Sequence, residues 1–156
     1  MITPRRVADF PRPPALERVT ERIRIVLAGE TIAETDDALR ILETTHPPTY
    51  YLPPSAFRSG ILIPRPRTSF CEWKGTARYL SLTAGGRTEH DAAWTYPDPT
   101  PAYADLTDCV AVYCGRMDAC YVGDERAIPQ PGGFYGGWIT SAFIGPFKGS
   151  PGTEYW

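Results

Sequence analysis

The segment Cys71–Gly75 (CEWKG) groups a thiol, a carboxylate, an indole and an ammonium along a short stretch of chain. If this segment is extended, successive side chains point to opposite faces, so Glu72 and Lys74 share one face while Cys71 and Trp73 share the other. A carboxylate and an ammonium two residues apart can meet, and burial would let either one act as an acid or a base. Lys74 and Glu72 are therefore the candidate catalytic residues. The alternative is a solvated ion pair of small energetic value.

Aromatic residues lie close to this segment in the predicted strand pairing. Small-molecule sites have mostly apolar and aromatic walls with a few polar groups, although the same residues are also typical of an ordinary β core. A carboxylate between two prolines on a loop could add polarity, although turn formation alone explains an Asp there. The predicted ligand-binding residues are Tyr50, Tyr51, Cys71, Trp73, Trp94, Tyr96 and Asp98.

Other kinds of site find less support in the sequence. The spacing of Cys109, Cys114 and Cys120 contains no C-x-x-C pair, which argues against a zinc site. Cys71 beside Lys74 could be a nucleophile, but nothing in the sequence places a histidine next to it, so a buried inert thiol is the preferred interpretation. The glycine-rich segment GGFYGG lacks the spacing of a dinucleotide-binding loop. We predict no metal and no cofactor.

The elements that position these residues are predicted to be strands. Seventeen prolines and fourteen glycines leave few windows for a stable helix. The sequence therefore predicts a mainly β fold, a compact single domain of antiparallel hairpins in small twisted sheets of β-tent or partial-barrel type, with short helical turns. The predicted hairpins pair 22–28 with 31–35 around Gly29-Glu30, 69–83 with 87–96 around Gly85-Gly86, and the two halves of 109–122 around Gly115-Arg116.

The chain length of 156 residues fits one domain with its own core. We predict an Arg/Pro-rich N-terminal arm over residues 1–21, a β domain over 22–128 and a Gly/Pro/aromatic-rich tail over 129–156. Seven aromatic residues in that tail are too many for an ordinary disordered linker. We therefore expect the tail to lie over the domain as irregular chain with its rings buried.

Charge and the N-terminal sequence narrow the range of partners. The balance of 16 Lys and Arg against 18 Asp and Glu gives little net charge, so no nucleic-acid partner is expected. Arg, Asp and Pro interrupt every apolar run in the first twenty residues, which argues against a signal peptide or a membrane helix. We expect a cytoplasmic protein with reduced cysteines, no membrane partner and a small-molecule ligand. The sequence leaves a homodimer open.

Four segments together resemble a known bacterial family, the domain-of-unknown-function family 427. They are ETTHPPTYYLP (43–53), FCEWKGTARYLSL (70–82), AAWTYPDP (92–99) and CVAVYCGRMDACYVGDE (109–125). The resemblance covers residues 22–128, and the tail is similar to the extended, actinobacterial-type members. The residues that match the family pattern are Tyr51, Cys71, Trp73, Lys74, Gly75, Trp94, Tyr96 and Pro97.

This resemblance implies a compact, mostly β fold but no settled activity. A nucleotidyltransferase-like label is sometimes attached to the family. The chain itself gives that label no support, since no D-x-D carboxylate pair follows a Gly-Ser.

Three functions fit these observations. The leading hypothesis is binding of a small polar ligand in an aromatic-walled pocket around Trp73, Lys74, Trp94 and Tyr96. The second is an enzyme for a small acidic or nucleotide-like substrate, with Lys74 as the electrostatic group and Glu72 as acid or base. The third is a protein-interaction module that uses the C-terminal tail.

Overall fold

The computed structural model of the chain describes residues 3–132, 134–150 and 152–153. Strands dominate these ranges, and the helical elements within them are short 3₁₀ turns. The predicted mainly β fold of small antiparallel sheets with short helical turns is confirmed. None of the helices in the described ranges has the length and apolar character needed to cross a membrane.

The elements follow one another along the chain without a long helix. The strands are β1 (Arg5–Arg6), β2 (Ala15–Arg18), β3 (Ile23–Leu27), β4 (Glu30–Thr35), β5 (Leu39–Leu42), β6 (Thr49–Tyr51), β7 (Leu62–Cys71), β8 (Gly75–Ala84), β9 (Arg87–Thr95), β10 (Val110–Val112), β11 (Ala119–Val122), β12 (Glu125–Arg126), β13 (Ile128–Pro129), β14 (Trp138–Ile139) and β15 (Phe143–Ile144). The 3₁₀ turns are Val7–Asp9, Pro54–Ala56, Pro101–Leu106 and Cys114–Arg116.

Two four-stranded sheets enclose the main core. One has the strand order β10-β9-β8-β7, and the other has the order β12-β11-β3-β4. Strand β3 buries every second residue, so that Ile25 and Leu27 point inward and share one core cluster with Leu82 and Val112 of the first sheet. Because successive side chains of a strand face opposite ways, the first sheet has a second face that this core does not use.

That second face of the β7–β10 sheet carries an aromatic cluster. Tyr79 of β8, Trp94 of β9 and Ala111 of β10 are buried there. They pack against Ile41 and Tyr51, which belong to a three-stranded sheet of order β2-β5-β6. The candidate site described below lies at this second cluster.

Two of the predicted hairpins are confirmed. Strands β3 and β4 pair around Ala28 and Gly29, whose φ angles are 52° and 74°, so the turn lies one residue earlier than the predicted Gly29-Glu30. Strands β8 and β9 pair around Gly85 and Gly86, with φ angles of 52° and 79°. Positive φ at both central residues is the geometry that tight hairpin turns require, and glycine adopts it without steric cost.

The prediction of one continuous strand from residue 69 to 83 is wrong. Strand β7 ends at Cys71, residues 72–74 form a tight turn, and β8 starts at Gly75, which pairs with Cys71. Gly75 has a φ of 105°, a left-handed conformation that glycine supplies without the strain other residues would carry. The strand alternation that placed Glu72 and Lys74 on one face therefore does not apply.

The predicted hairpin within residues 109–122 is also wrong. Residues Cys114–Arg116 form a 3₁₀ turn, and the strands on either side of it join different sheets. Strand β10 pairs with β9, whereas β11 pairs with β3 and β12. The segment therefore crosses the main core from one sheet to the other, with Cys114 and Met117 buried inside it.

Both ends of the described chain take part in the pairing. Strand β1 pairs in parallel with β15, β2 pairs with β5, and β13 pairs with β14. In the tail, Trp138 and Phe143 are buried as expected, while Phe134 is 74% exposed. The expected burial of Tyr155 and Trp156 concerns residues outside the described ranges.

Candidate functional site

A cavity of about 350 Å³ opens over the second face of the β7–β10 sheet. One wall comes from β7, β8 and β9 through Cys71, Tyr79 and Trp94, and the opposite wall comes from the end of β5 and from β6. The tail segment 134–136 lines a third side. This volume lies in the range of pockets that hold small molecules.

Three of the predicted aromatic residues line this cavity and contact one another. The rings of Tyr51 and Trp94 lie edge to face with centroids 6.4 Å apart, and the rings of Tyr51 and Tyr96 lie 6.3 Å apart. The indole N–H of Trp94 donates a long hydrogen bond of 3.4 Å to the Tyr51 hydroxyl. Burial raises the pKa of both Tyr51 and Tyr96, because an ionised phenol would lose its hydration there. These hydroxyls are therefore neutral hydrogen-bonding groups at physiological pH.

The structure places the other predicted aromatic residues elsewhere. Tyr50 is fully buried in the main core, where its ring packs on Trp138 with centroids 4.9 Å apart. Trp73 is half-buried and packs against the aromatic cluster from outside the cavity. Cys71, a free and half-buried thiol, does line the cavity.

Lys74 is buried and its side chain lines the cavity, whereas Glu72 is exposed on the same turn and lies outside it. The ammonium Nζ lies 5.9 Å from the centroid of the Tyr96 ring, a distance at which a cation and an aromatic face attract each other. Lys74 is 8% exposed. Within the described ranges it forms no salt bridge, since no carboxylate oxygen lies within 4.0 Å of Nζ.

The loop after β9 holds the turn that carries Lys74. The backbone N–H of Thr100 donates to the carbonyl of Lys74 at 3.1 Å, and the Thr100 hydroxyl donates to the carbonyl of Trp73 at 2.6 Å. Asp98 belongs to this loop but is exposed and does not line the cavity. Thr100, which directly follows the Y-P-D-P segment, thus holds the turn of the lysine through one backbone and one side-chain hydrogen bond.

Sequence reasoning missed a glutamate and a histidine at the opposite wall. Glu43 follows β5 and His46 lies in the next turn, where the His46 Nε2 and a Glu43 carboxylate oxygen are 3.1 Å apart. Both side chains line the cavity. The signal available in the sequence was the spacing Glu-x-x-His before two prolines, which in a turn brings the two side chains together.

The electrostatic environment keeps Glu43 ionised. Burial acts to raise its carboxyl pKa, but the hydrogen bond from His46 and the positive charges of Lys74 and Lys148 outweigh burial, so the pKa is lowered. Glu43 and Lys74 therefore act on each other across the cavity. The side chain of Arg67 also lines the cavity and is 60% exposed, with its guanidinium 4.5 Å from the centroid of the Tyr79 ring.

The tail covers the cavity by very close backbone contact. A Cβ placed on Gly136 would lie 2.1 Å from the Trp94 ring, so only glycine allows the chain to pass there. The Tyr135 ring meets the His46 ring edge to face, with centroids 4.7 Å apart. A second cavity of about 440 Å³ adjoins the first and shares Arg67, Tyr113 and the tail segment with it.

The described residues do not form a metal-binding site. Among the described residues, no three His, Cys, Asp or Glu side chains are grouped closely enough to hold a metal ion. The cavity offers a ligand its aromatic rings and the side chains of Glu43, His46, Arg67 and Lys74.

The model of the family described as domain of unknown function (DUF427) matches residues 15–123, which is more than half of the chain. The chain belongs to the DUF427 family. Searching the curated proteins produced no match.

The DUF427 match contains most of the cavity but not all of it. Glu43, His46, Tyr51, Lys74 and Trp94 fall within residues 15–123. The side formed by Gln130 and the segment 134–136 comes from the chain beyond the match. In this DUF427 protein the C-terminal tail therefore completes the cavity that the family domain begins.

Proposed function

We propose that this DUF427 protein binds a small molecule with an aromatic or apolar body and an anionic group, and that Lys74 neutralises the anion. The observation that carries the proposal is the largely buried side chain of Lys74, which lines the cavity and forms no salt bridge with any described residue. A cation held between aromatic walls attracts an anion more strongly than a cation in open solvent does. An anionic ligand would supply the missing partner.

The remaining charges of the cavity favour an anion as well. Glu43 already accepts a hydrogen bond from His46 at 3.1 Å, so its carboxylate has a partner within the chain. Arg67 adds a second positive charge, and its closest acidic contact, to Asp91, is long at 3.9 Å. The aromatic walls formed by Tyr51, Trp94 and Tyr96 provide flat surfaces for an apolar or aromatic ligand body.

A second candidate function, an enzyme acting on such a ligand, is favoured by the position of Glu43. The Glu43 carboxylate lies in the cavity and is hydrogen-bonded to His46, so it can accept a proton, although its lowered pKa makes it a weak base. Because Glu72 is exposed outside the cavity, the acid or base role considered for it would fall to Glu43. Lys74 would keep the electrostatic role.

The binding proposal is tested by removing one charge and by changing one ligand group. Phenyl phosphate, 3-phenylpropionate and the neutral 3-phenylpropanamide are titrated into the protein, and amide and indole shifts are followed by NMR. The two anions are expected to change the NMR chemical shifts of the Gly75 amide and of the Trp94 indole N–H. In Lys74→Met we expect at least about tenfold weaker binding, which corresponds to ~1.4 kcal/mol. The matched control is Arg78→Met, which removes an exposed cation of β8 outside the cavity and should bind like the wild type.

Lys74→Met also has a readout that needs no ligand. Because it replaces a largely buried cation, which has no salt bridge among the described residues, by an apolar group of similar length, the free energy of unfolding is expected to rise by about 1 kcal/mol. Denaturant unfolding of the free protein measures this change. Equal affinity for the amide and the anions, unchanged binding in Lys74→Met, or loss of stability in that variant would each contradict the assignment of Lys74.

A further inference from the structure

The side chain of Gln130 links the C-terminal tail to the Glu43–His46 pair. Its amide nitrogen Nε2 lies 3.0 Å from His46 Nδ1 and donates to the carbonyl of Lys148 at 2.9 Å. Its amide oxygen accepts the backbone N–H of Gly137 at 3.1 Å. Gln130 is buried, with 4% of its surface exposed, and it lines the cavity.

These contacts fix which way the Gln130 amide points. The Gly137 N–H can only donate, so it requires the amide oxygen, and the Lys148 carbonyl can only accept, so it requires the amide nitrogen. The NH₂ group therefore donates to His46 Nδ1, which must accept. An imidazole that accepts at Nδ1 is neutral and carries its proton on Nε2, where it donates to Glu43.

We propose that Gln130 is a positioning residue of the cavity, which holds His46 neutral in the Nε2–H tautomer and through it orients the Glu43 carboxylate. Docking of the tail and the orientation of Glu43 are then linked to the protonation of His46. The cavity is treated as a ligand site on the strength of the function proposed above. The hydrogen-bond relay itself involves only the chain's own residues.

Charged and neutral groups both face His46. The Glu43 carboxylate meets Nε2 of the ring at 3.1 Å, and Lys74 and Lys148 are the positive charges that act on this carboxylate. The Tyr135 ring covers one side of the imidazole as a neutral neighbour. Gln130 presents a hydrogen-bond donor to Nδ1, so this nitrogen must be free of a proton to accept the bond.

Protonation of His46 would place two donors against each other. The new Nδ1–H would face the Gln130 NH₂, and turning the amide to offer its oxygen would remove the partners of Gly137 N–H and of the Lys148 carbonyl. The hydrogen bond from the Gln130 amide to His46 Nδ1 therefore forms when His46 is neutral, and it is lost as the pH falls through the titration of His46. At the same point the tail loses the contact of the Gln130 side chain with His46.

The tautomer and this coupling can be measured by NMR on the whole chain without any ligand. The chain has two histidines, and His90 is exposed, so it serves as an internal control. At a pH where both are neutral, we expect the ¹⁵N shifts of His46 to report Nε2–H. As the pH is lowered, the Gly137 amide proton is expected to move upfield with the same midpoint as His46.

Two substitutions at position 130 change the group that faces Nδ1. Gln130→Glu replaces the donor by an acceptor, so the titration midpoint of His46 is expected to rise by about one pH unit or more, a tenfold gain in proton affinity. Gln130→Ala removes the donor without adding an acceptor, and a smaller rise is expected. His90 should titrate as in the wild type in both variants.

The proposal is overturned if wild-type His46 carries its proton on Nδ1 when neutral, or if Gln130→Glu leaves its midpoint unchanged. The tautomer measurement uses the wild-type protein and so does not depend on how well either variant folds. It also separates this proposal from the previous one. Failure of aryl anions to bind would leave the tautomer result standing, and a wrong tautomer would leave the effect of Lys74→Met standing.

Discussion

Tyr51 connects the two walls of the cavity at the scale of a single residue. Its hydroxyl accepts from the Trp94 indole, and its ring packs against Trp94 and Tyr96. The side chain is almost fully buried, at 1% exposure, so an ionised Tyr51 would be a buried anion. Burial raises its pKa, and the neighbouring Cys71 and Glu43 act in the same direction, although the Trp94 hydrogen bond opposes them.

This raised pKa makes the fold sensitive to alkaline pH. In the unfolded chain Tyr51 ionises near pH ~10, whereas in the folded protein it stays neutral above that pH. The stabilisation is fully present below pH ~10 and is lost as the pH rises through the folded pKa, at up to about 1.4 kcal/mol per pH unit. Tyr51→Phe is expected to lose stability less steeply than the wild type between pH ~10 and ~11.5. Denaturant unfolding measures this, and equal slopes would contradict it.

At the scale of elements, the sequence predicts hairpins well where glycine supports the turn. The Gly85-Gly86 pair locates the β8–β9 hairpin, and Gly29 locates the β3–β4 hairpin to within one residue. Positive φ is a local requirement, so local sequence can reveal it. The turn at residues 72–74 was missed because a strand-forming composition continues through it and only Gly75 marks its end.

The failed prediction around Gly115 has a different physical cause. A Gly-X pair between two apolar runs is typical of a hairpin, but β10 and β11 each find a better partner in another sheet. Which strand pairs with which depends on contacts far apart in the chain, and those contacts leave no local signal. The same holds for the candidate site. Lys74 and the aromatic residues could be predicted from the sequence. Glu43, His46 and Gln130 could not, because only the folded chain brings them to the cavity.

The turn that carries Glu43 and His46 contains a strained residue. Thr45 has a φ of 69°, a left-handed conformation that is unfavourable for a β-branched side chain. Its backbone N–H donates to the Val7 carbonyl at 2.9 Å, and its carbonyl accepts from the Lys148 N–H at 2.7 Å. These two contacts hold the strained conformation beside the cavity.

Thr45→Gly is therefore expected to stabilise the protein. Glycine adopts positive φ freely, so removing the strain should raise the free energy of unfolding by about 1 kcal/mol, after allowance for the greater entropy of glycine in the unfolded chain. The matched control is Thr44→Gly, next in the chain without a positive φ, which should destabilise because the Thr44 hydroxyl donates to the Phe10 carbonyl at 2.6 Å. Thermal unfolding compares the two. Destabilisation by Thr45→Gly would show that its side-chain contacts outweigh the strain.

At the scale of the whole molecule, the tail takes part in both cavity and core. Trp138 lies beyond the DUF427 match, yet it is fully buried in the main core. Its ring packs on Tyr50, and its indole N–H donates to the Val112 carbonyl at 3.3 Å. If the tail served only to bind partner proteins, the main core would be complete without it. Buried contacts of this kind instead favour a tail that folds together with the rest of the chain.

Truncating Trp138 tests this view of the tail. Trp138→Ala should cost about 3–5 kcal/mol of unfolding free energy, since it leaves a large cavity in the main core. The control is Phe134→Ala, which removes a ring of the same tail that is 74% exposed and should change stability by no more than about 0.5 kcal/mol. Deleting residues 129–156 is expected to abolish cooperative thermal unfolding, because the core would lose Trp138 and the cavity would lose Gln130 and its cover. If the truncated chain instead unfolded cooperatively near the wild-type temperature, the tail would be a detachable segment, and the protein-interaction hypothesis would become the better account of its aromatic residues.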